Sequence, residues 1–322
     1  MIYTEIKGTG SYVPRKVLTN DDLSKIVDTN DEWIVSRTGI KERHIVTDEL
    51  TVDLAEHAAR RAMEDAKVDP KDIDLVIVAT VTPDNAFPGV GQLLQKRLGL
   101  NEVMCFDVNA ACSGFMYALN IADKMIKSGA YKTAIVVGAE TLTRLTDWSD
   151  RNTCVLFGDA AGAMVIGTSE TNKIKDVICG SKSDDEGMLI CNGVDIKDPY
   201  VNAVSQQDHI HMNGREVFKF ATRIMPQTIK DLTERNNIGL DDLNYIVAHQ
   251  ANERIIDKAA RDLKFPMDKM FLNIQKYGNT SAASVPLAID EAIKEKKLNK
   301  GDLFATVAFG GGFTWGGALI EL

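Results

Sequence analysis

Apolar positions fall in two rhythms along the chain. Leu75-Val-Ile-Val-Ala-Thr80, Ala134-Ile-Val-Val-Gly138, Tyr245-Ile-Val-Ala248 and Phe304-Ala-Thr-Val-Ala-Phe309 are short unbroken aliphatic and β-branched runs. They predict strands covered on both faces, because a strand with one wet face would alternate. Between them, apolar residues recur at the helical period over Thr51–Ala66, Ala251–Leu263 and Val285–Lys297, with Thr51 expected as the N-cap of the first. Strand and helix in alternation imply an α/β fold with largely parallel sheets.

The pattern repeats. Residues 72–80 align with 241–249, residues 106–112 with 272–279 allowing one residue of slack, and residues 162–166 with 317–321. The order is the same in both sets. This implies duplication, with similar halves at 1–170 and 171–322. Cys112, His249 and Asn279 all fall at C-terminal strand ends or in the turns after them, where open α/β sheets bind ligands.

Composition narrows the classes. The chain has 322 residues, 44% of them apolar, and a net charge of −9. That balance argues against a general nucleic-acid binder. Cys105, Cys112, Cys154, Cys179 and Cys191 form no C-x-x-C and no regular spacing, so neither a disulfide framework nor a structural zinc site is expected. No apolar run approaches the roughly 18 residues that span a bilayer. The expectation is a soluble protein of a reducing cytoplasm, with no membrane insertion.

Four stretches invite chemistry. In Asn109-Ala-Ala-Cys-Ser-Gly-Phe115 a thiol stands where a strand hands over to a helix. It reads either as a small core residue or as a nucleophile whose thiolate the helix N-terminus favours. His249 follows a strand and opens His-Gln-Ala-Asn-Glu-Arg254. Asn279, in Tyr277-Gly-Asn-Thr-Ser281, is either a loop residue or a donor to a developing oxyanion. Ala308-Phe-Gly-Gly-Gly-Phe-Thr-Trp-Gly-Gly317 is neither a Walker loop nor a dinucleotide fingerprint. It is a tight turn, or a place where the Gly311 N–H forms part of an oxyanion hole.

Together these four stretches resemble the β-ketoacyl-acyl-carrier-protein synthase III family of thiolase-like condensing enzymes. Asn30-Asp-Glu-Trp-Ile-Val-Ser-Arg-Thr-Gly-Ile-Lys-Glu-Arg43 and Leu156-Phe-Gly-Asp-Ala-Ala-Gly162 extend the likeness over the whole chain, in family order. The resemblance implies a five-layered αβαβα fold with internal duplication. It also implies a decarboxylative Claisen condensation of an acyl-CoA starter, acetyl or short branched, with malonyl-acyl-carrier protein, initiating fatty acid synthesis. A starter enzyme of a polyketide or quinolone pathway would carry the same motifs. Cys112 would accept the acyl group, and His249 and Asn279 would stabilise the enolate. The backbone N–H groups of Cys112 and Gly311 would hold the oxyanion. Trp33, Arg37 and Arg151 would embrace the nucleotide of CoA, and Asn252 the pantetheine. Leu142 and Phe157 would line the acyl pocket, with Phe87 reaching into the partner's pocket in a homodimer. Neither metal nor redox cofactor is implied.

An acidic carrier protein meeting an acidic enzyme calls for a local basic patch. Arg215, Lys219 and Arg223 recur every four residues, and Arg254, Lys258 and Arg261 nearly so, so each set shares a helical face. Residues 182–207 are polar and unpatterned, and a mobile loop near the entrance is expected there. Rival classes fit less well. Elongating ketosynthases use a second histidine in place of Asn279. Thiolases need a cysteine near the C-terminal glycines, and none lies beyond Cys191. Papain-like peptidases set their cysteine in a C-G-S-C-W context that is missing here. A catalytically dead scaffold would not be expected to keep the whole set.

Overall fold

A computed structural model of the chain describes residues 1–193 and 209–322. In chain order its strands are β1 Tyr3–Tyr12, β2 Lys16–Thr19, β3 Glu42–Ile45, β4 Leu75–Ala79, β5 Met104–Val108, β6 Thr133–Thr141, β7 Asp159–Ser169, β8 Ile174–Ser181, β9 Leu189–Ile190, β10 His211–Met212, β11 Tyr245–Ala248, β12 Leu303–Gly310 and β13 Thr314–Glu321. One main sheet runs β1-β7-β6-β4-β5 and the other β11-β12-β13-β8. At the β11 edge, Met270 bridges Ile246 where the first sheet has β5.

Three apolar cores show why the four sequence runs are unbroken. Leu75, Ile77 and Ala79 pack on the middle helices Gly114–Lys127 and Ser284–Lys294, together with Val247, Phe304 and Ala308 of the second sheet. Val76 and Val78 point the other way, onto helices Thr51–Ala66 and Val90–Leu98. Ile246, Ala248, Ala305 and Val307 face helices Gly214–Arg235 and Glu253–Leu263. The layers are therefore αβαβα, and each central strand is dry on both faces. Burying one such side chain contributes roughly 1.5–3 kcal/mol, so the three cores dominate the stability of the frame.

The sheets are mixed, not largely parallel as the alternation suggested. β4–β5, β4–β6 and β11–β12 are parallel, whereas β1–β7, β6–β7, β12–β13 and β13–β8 are antiparallel. Strand–helix–strand crossovers supply the parallel pairs, and direct returns such as β12 to β13 supply the rest.

The duplication has a constant offset of 170 residues on the site side of both sheets, not the uneven register of the sequence alignment. Ile77 and Val247 face the middle layer alike. Ala111 and Ser281 share the left-handed backbone, at φ 47° and 48°. The counterpart of Cys112 is thus Ala282, and that of Asn279 is Asn109. A Cβ on Gly162 would meet Pro286 and Leu287, and one on Gly316 would meet Met116, which pairs Gly162 with Gly316 and not Gly317. A one-residue slip turns every side chain to the wrong face, and composition alone does not exclude it.

Thr51 is not the cap of its helix. It is the first helical residue, and the Asp84 carboxylate receives the N–H groups of Thr51 and Val52 at 2.8 and 2.9 Å. The later helix starts at Glu253, capped by Asn252, and not at Ala251. No helix among the described residues is long and apolar enough to cross a membrane.

Candidate functional site

A cavity of about 1220 Å³ opens at the C-terminal ends of β4, β6, β11 and β12. Cys112, His249 and Asn279 all line it, as does Gly311. Each comes from a different strand–turn connection, which explains how residues so far apart in sequence meet.

Cys112 sits in the 3-10 turn Ala111–Ser113, immediately before the Gly114–Lys127 helix. The turn is locked from the other half of the chain. The Thr314 hydroxyl lies 2.9 Å from the Ala110 carbonyl and 3.1 Å from that of Gly311, and the Ser113 hydroxyl lies 2.8 Å from Thr314 Oγ1. A Cβ on Gly310 would stand 2.6 Å from the Cys112 nitrogen. Only glycine lets the end of β12 approach the nucleophile loop this closely.

The expected thiolate is not the resting state. Burial pushes the Cys112 thiol up to about 12, and the charge of Glu140 adds to the rise. The Ser281 hydroxyl and the residue's own N–H pull the other way and do not prevail. Desolvation of a charge outweighs the helix terminus here.

His249 is 1% exposed, and neither ring nitrogen has a hydrogen-bond partner among the described residues. Its ring meets Phe309 edge-on at 5.3 Å between centroids. Burial alone pushes its pKa down to about 3, so the imidazole is neutral. An unpaired buried polar group costs roughly 1–3 kcal/mol. Stability does not explain why this chain keeps two of them.

Asn279 is 7% exposed. Its side-chain oxygen accepts the Ser281 N–H at 2.9 Å, and its backbone holds Leu156 O and Gly158 N. That N–H fixes which end of the amide is oxygen. The Nδ2 group is thereby left without a partner among the described residues, on a residue that lines the cavity.

The other expected residues are spread along the cavity and beyond it. Trp33, Arg37, Asn252, Leu142, Phe157 and Arg215 line it. The Arg151 guanidinium stacks 4.5 Å above the Trp33 ring, and that of Arg37 lies 5.9 Å from it. Asn252 uses its oxygen to cap the Glu253–Leu263 helix and its nitrogen to hold the Arg37 carbonyl at 3.0 Å. Leu142 and Phe157 cluster with Ile210. Phe87 is 86% exposed and does not line the cavity. Arg223 and Lys219 line a separate depression, and Arg254 lies over the Phe218 ring at 5.7 Å. Lys219 pairs with Glu216, Lys258 with Asp262 and Arg261 with Asp257. Half of the six basic residues thus spend their charge on their own helices. The expected mobile loop lies, for residues 194–207, outside the described residues; residues 189–190 pair with His211–Met212 as β9 and β10.

Sequence reasoning missed Glu140, Ser281, Ser113 and Thr314. A carboxylate at the end of the otherwise apolar run Ala134–Ala139 was the visible signal for Glu140. The three hydroxyls carried none, since their partners come from elsewhere in the chain.

The family description "3-Oxoacyl-[acyl-carrier-protein (ACP)] synthase III" matches residues 106–183, and its C-terminal counterpart matches residues 233–322. The chain is 50% identical over 318 residues to a β-ketoacyl-[acyl-carrier-protein] synthase III of Clostridium acetobutylicum, covering 98% of each. It superposes on a crystal structure of 3-oxoacyl-[acyl-carrier-protein] synthase III from Aquifex aeolicus with a TM-score of 0.93 at 46% identity, covering 99% of this chain and 100% of that one. A priming β-ketosynthase from the R1128 polyketide pathway gives a TM-score of 0.92 at 34% identity, over 99% of this chain and 96% of that one.

Proposed function

The chain belongs to the β-ketoacyl-acyl-carrier-protein synthase III family of thiolase-like condensing enzymes, and we propose that it joins an acyl-CoA starter to malonyl-acyl-carrier protein by decarboxylative Claisen condensation. One observation carries the reading. A desolvated thiol, a neutral imidazole and an amide NH₂ group, the last two without hydrogen-bond partners among the described residues, converge on one cavity.

In the first half-reaction the Cys112 sulfur attacks the starter thioester and CoA leaves, giving an acyl-enzyme. Covalent catalysis divides one difficult carbon–carbon step into two easier ones. The backbone N–H groups of Cys112 and Gly311 take the oxyanion. In the second, the carrier-bound malonyl group loses CO₂ and its enolate attacks the acyl carbon. Negative charge then develops on the thioester oxygen. His249 and Asn279 meet it as donors that are already desolvated and unpaired. One such donor is worth about 3 kcal/mol of barrier. These steps balance without a metal or redox cofactor.

The Trp33–Arg37–Arg151 stack offers a planar, cationic seat for the adenine and phosphates of CoA. Arg215, Arg223 and Arg254 make no ion pair among the described residues and form the landing for the acidic carrier, with Lys219, Lys258 and Arg261 as its already neutralised rim. A second copy of the chain covers the open edge of β5 and the exposed Phe87, whose ring completes the partner's acyl pocket. The cytoplasm, where CoA thioesters and free thiols coexist, is the matching compartment. The R1128 likeness supports a second reading, priming of a polyketide, with the same chemistry and a different carrier.

Incubation with an acyl-CoA panel and malonyl-carrier protein tests the reaction. Release of CO₂ and formation of the 3-ketoacyl carrier, both dependent on the starter, are expected. Condensation from carrier-bound but not CoA-bound starters would contradict the reading.

A further inference from the structure

Glu140 is a buried carboxyl that the chemistry above leaves idle. It lies near the end of β6, is fully buried and has no cation beside it among the described residues. A buried carboxyl without a cation destabilises a fold, so stability does not explain its presence. Its Oε2 accepts the Thr82 hydroxyl at 2.7 Å, the Val81 N–H at 3.1 Å and the Thr80 hydroxyl at 3.2 Å, which anchors it to the segment after β4. Its Oε1 accepts the Ser281 hydroxyl at 3.1 Å. This last bond crosses from the first half of the chain to the second.

The crossing is made at close range. A Cβ on Gly138, two residues earlier on the same face of β6, would stand 2.2 Å from the Ala282 carbonyl oxygen. Glycine there lets the strand end lie directly against the turn 281–283. Glu140 points the same way along the strand and reaches Ser281.

Ser281 carries the link onward. Its hydroxyl donates to Glu140, and its N–H donates to Asn279 Oδ1 at 2.9 Å. Its backbone is left-handed at φ 48°, a conformation that a residue other than glycine keeps only when its surroundings hold it. The Asn279 backbone is fixed separately, by Leu156 O at 2.8 Å and Gly158 N at 3.0 Å. Those two bonds leave open the rotation of the amide about its side-chain bonds. The Ser281 N–H decides it, holding the oxygen toward the turn and leaving NH₂ as the unspent end.

The duplication supplies an internal comparison. Asn109 makes the matching turn with the Ala111 N–H, at 3.3 Å. Ala111 has no hydroxyl, and the residue matching Glu140 is Gly310, which has no side chain. The asparagine without the carboxyl–hydroxyl link is exposed and holds its turn more loosely; the one with the link is buried and holds it at 2.9 Å. Resting on the reading that Asn279 donates to the enolate oxygen, we propose that Glu140 is a positioning residue for that donor: it holds the Ser281 hydroxyl, and Ser281 aims the Asn279 amide. Glu140 itself touches no reacting atom. The link ends on Asn279, so its loss falls on the half-reaction that uses that amide.

Ser281→Ala and Glu140→Gln test the link, with melting curves to verify folding. Ala111 shows that alanine adopts this backbone. In Glu140→Gln the donors of residues 80–82 keep the amide oxygen on their side, so an NH₂ group faces Ser281 where an acceptor stood. The readout is CO₂ release from a malonyl thioester without starter. Both variants should lower its kcat about tenfold, as expected for a donor held out of line, with KM within about twofold. The decisive arm is a double variant. Asn279→Asp keeps the oxygen and removes the donor, so adding Ser281→Ala to it should slow decarboxylation by less than about twofold further. An equal tenfold loss in both backgrounds would mark a structural role for Ser281 and overturns the proposal. So does a folded Ser281→Ala or Glu140→Gln chain with the wild-type kcat. If Glu140→Gln fails to fold, Ser281→Ala and the double variant decide. Wild-type decarboxylation in Asn279→Asp overturns the reading of Asn279 and the positioning together; a slowed Asn279→Asp beside an unaltered Ser281→Ala overturns the positioning alone.

Discussion

Asn109 and Asn279 make the same turn 170 residues apart. Each side-chain oxygen accepts the N–H two residues on, from Ala111 at 3.3 Å and from Ser281 at 2.9 Å, and each turn leads into a left-handed residue and then a middle-layer helix. The two asparagines differ in setting. Both line the cavity, but Asn109 is exposed, whereas Asn279 is buried and its NH₂ group has no partner among the described residues.

Asn279→Asp separates the turn from the chemistry. The new side chain keeps an oxygen for the Ser281 N–H but loses the donor and gains a charge. Melting should move little, while decarboxylation of malonyl-carrier protein should fall about a hundredfold or more. Acylation of Cys112 should persist. Asn109→Asp, measured in the same CO₂-release assay, should leave decarboxylation unchanged.

His249 and Glu140 give opposite slopes to stability against pH. The His249 pKa is pushed down to about 3 in the fold. Between about 3 and 6.5 the unfolded chain binds a proton that the native state refuses, so stability falls as pH drops through that window. His249→Gln should flatten this part of the curve. The Glu140 pKa is raised to about 7, so between about 4.5 and 7 the native state holds a proton that the unfolded chain has lost. Its stability contribution is lost as pH rises through that window. Glu140→Gln should therefore gain on the wild type between pH 5 and 8, by on the order of 2 kcal/mol in denaturant titrations.

Two guanidinium groups lie over the indole of Trp33, Arg151 closer than Arg37. Trp33→Ala removes the platform without touching the catalytic end of the cavity. KM for acyl-CoA should rise about tenfold with kcat nearly unchanged, given about 1–2 kcal/mol per stacked cation. An acyl-pantetheine thioester lacking the nucleotide should show no such change.

Carrier binding should follow unpaired charge, not charge count. Arg254→Glu and Arg223→Glu should raise KM for malonyl-carrier protein and leave that for malonyl-CoA alone. Lys258→Gln should do little, because Lys258 already pairs with Asp262 and exposed pairs are worth about 0–1 kcal/mol. Steady-state kinetics at two salt concentrations would separate the two groups.

Much of this frame was legible in the chain. Buried strands such as Leu75–Ala79 announce themselves because both faces are dry, and the helix Thr51–Ala66 runs where its period predicts. Cys112 and His249 were visible as polar residues at strand ends. The register of the duplication was not, because Cys112 and Asn279 look equivalent until side-chain direction places Ala282 opposite Cys112. The protonation state of Cys112 was not either. A helix N-terminus is a local feature, while the desolvation and the Glu140 charge that overrule it come from residues distant in sequence. Thr314 and Ser113, which pin the nucleophile turn, meet across 201 positions and leave no local pattern.

The central claim is that Cys112 carries the acyl group, and intact-protein mass spectrometry after incubation with a panel of acyl-CoAs tests it most directly. Cys112→Ala is the control. The account predicts one acyl adduct on the wild type, mapped to Cys112, and none on the variant, with the extent of labelling ranking the starters. A folded wild-type chain that no acyl-CoA labels, or a Cys112→Ala chain labelled to the same extent, would contradict it.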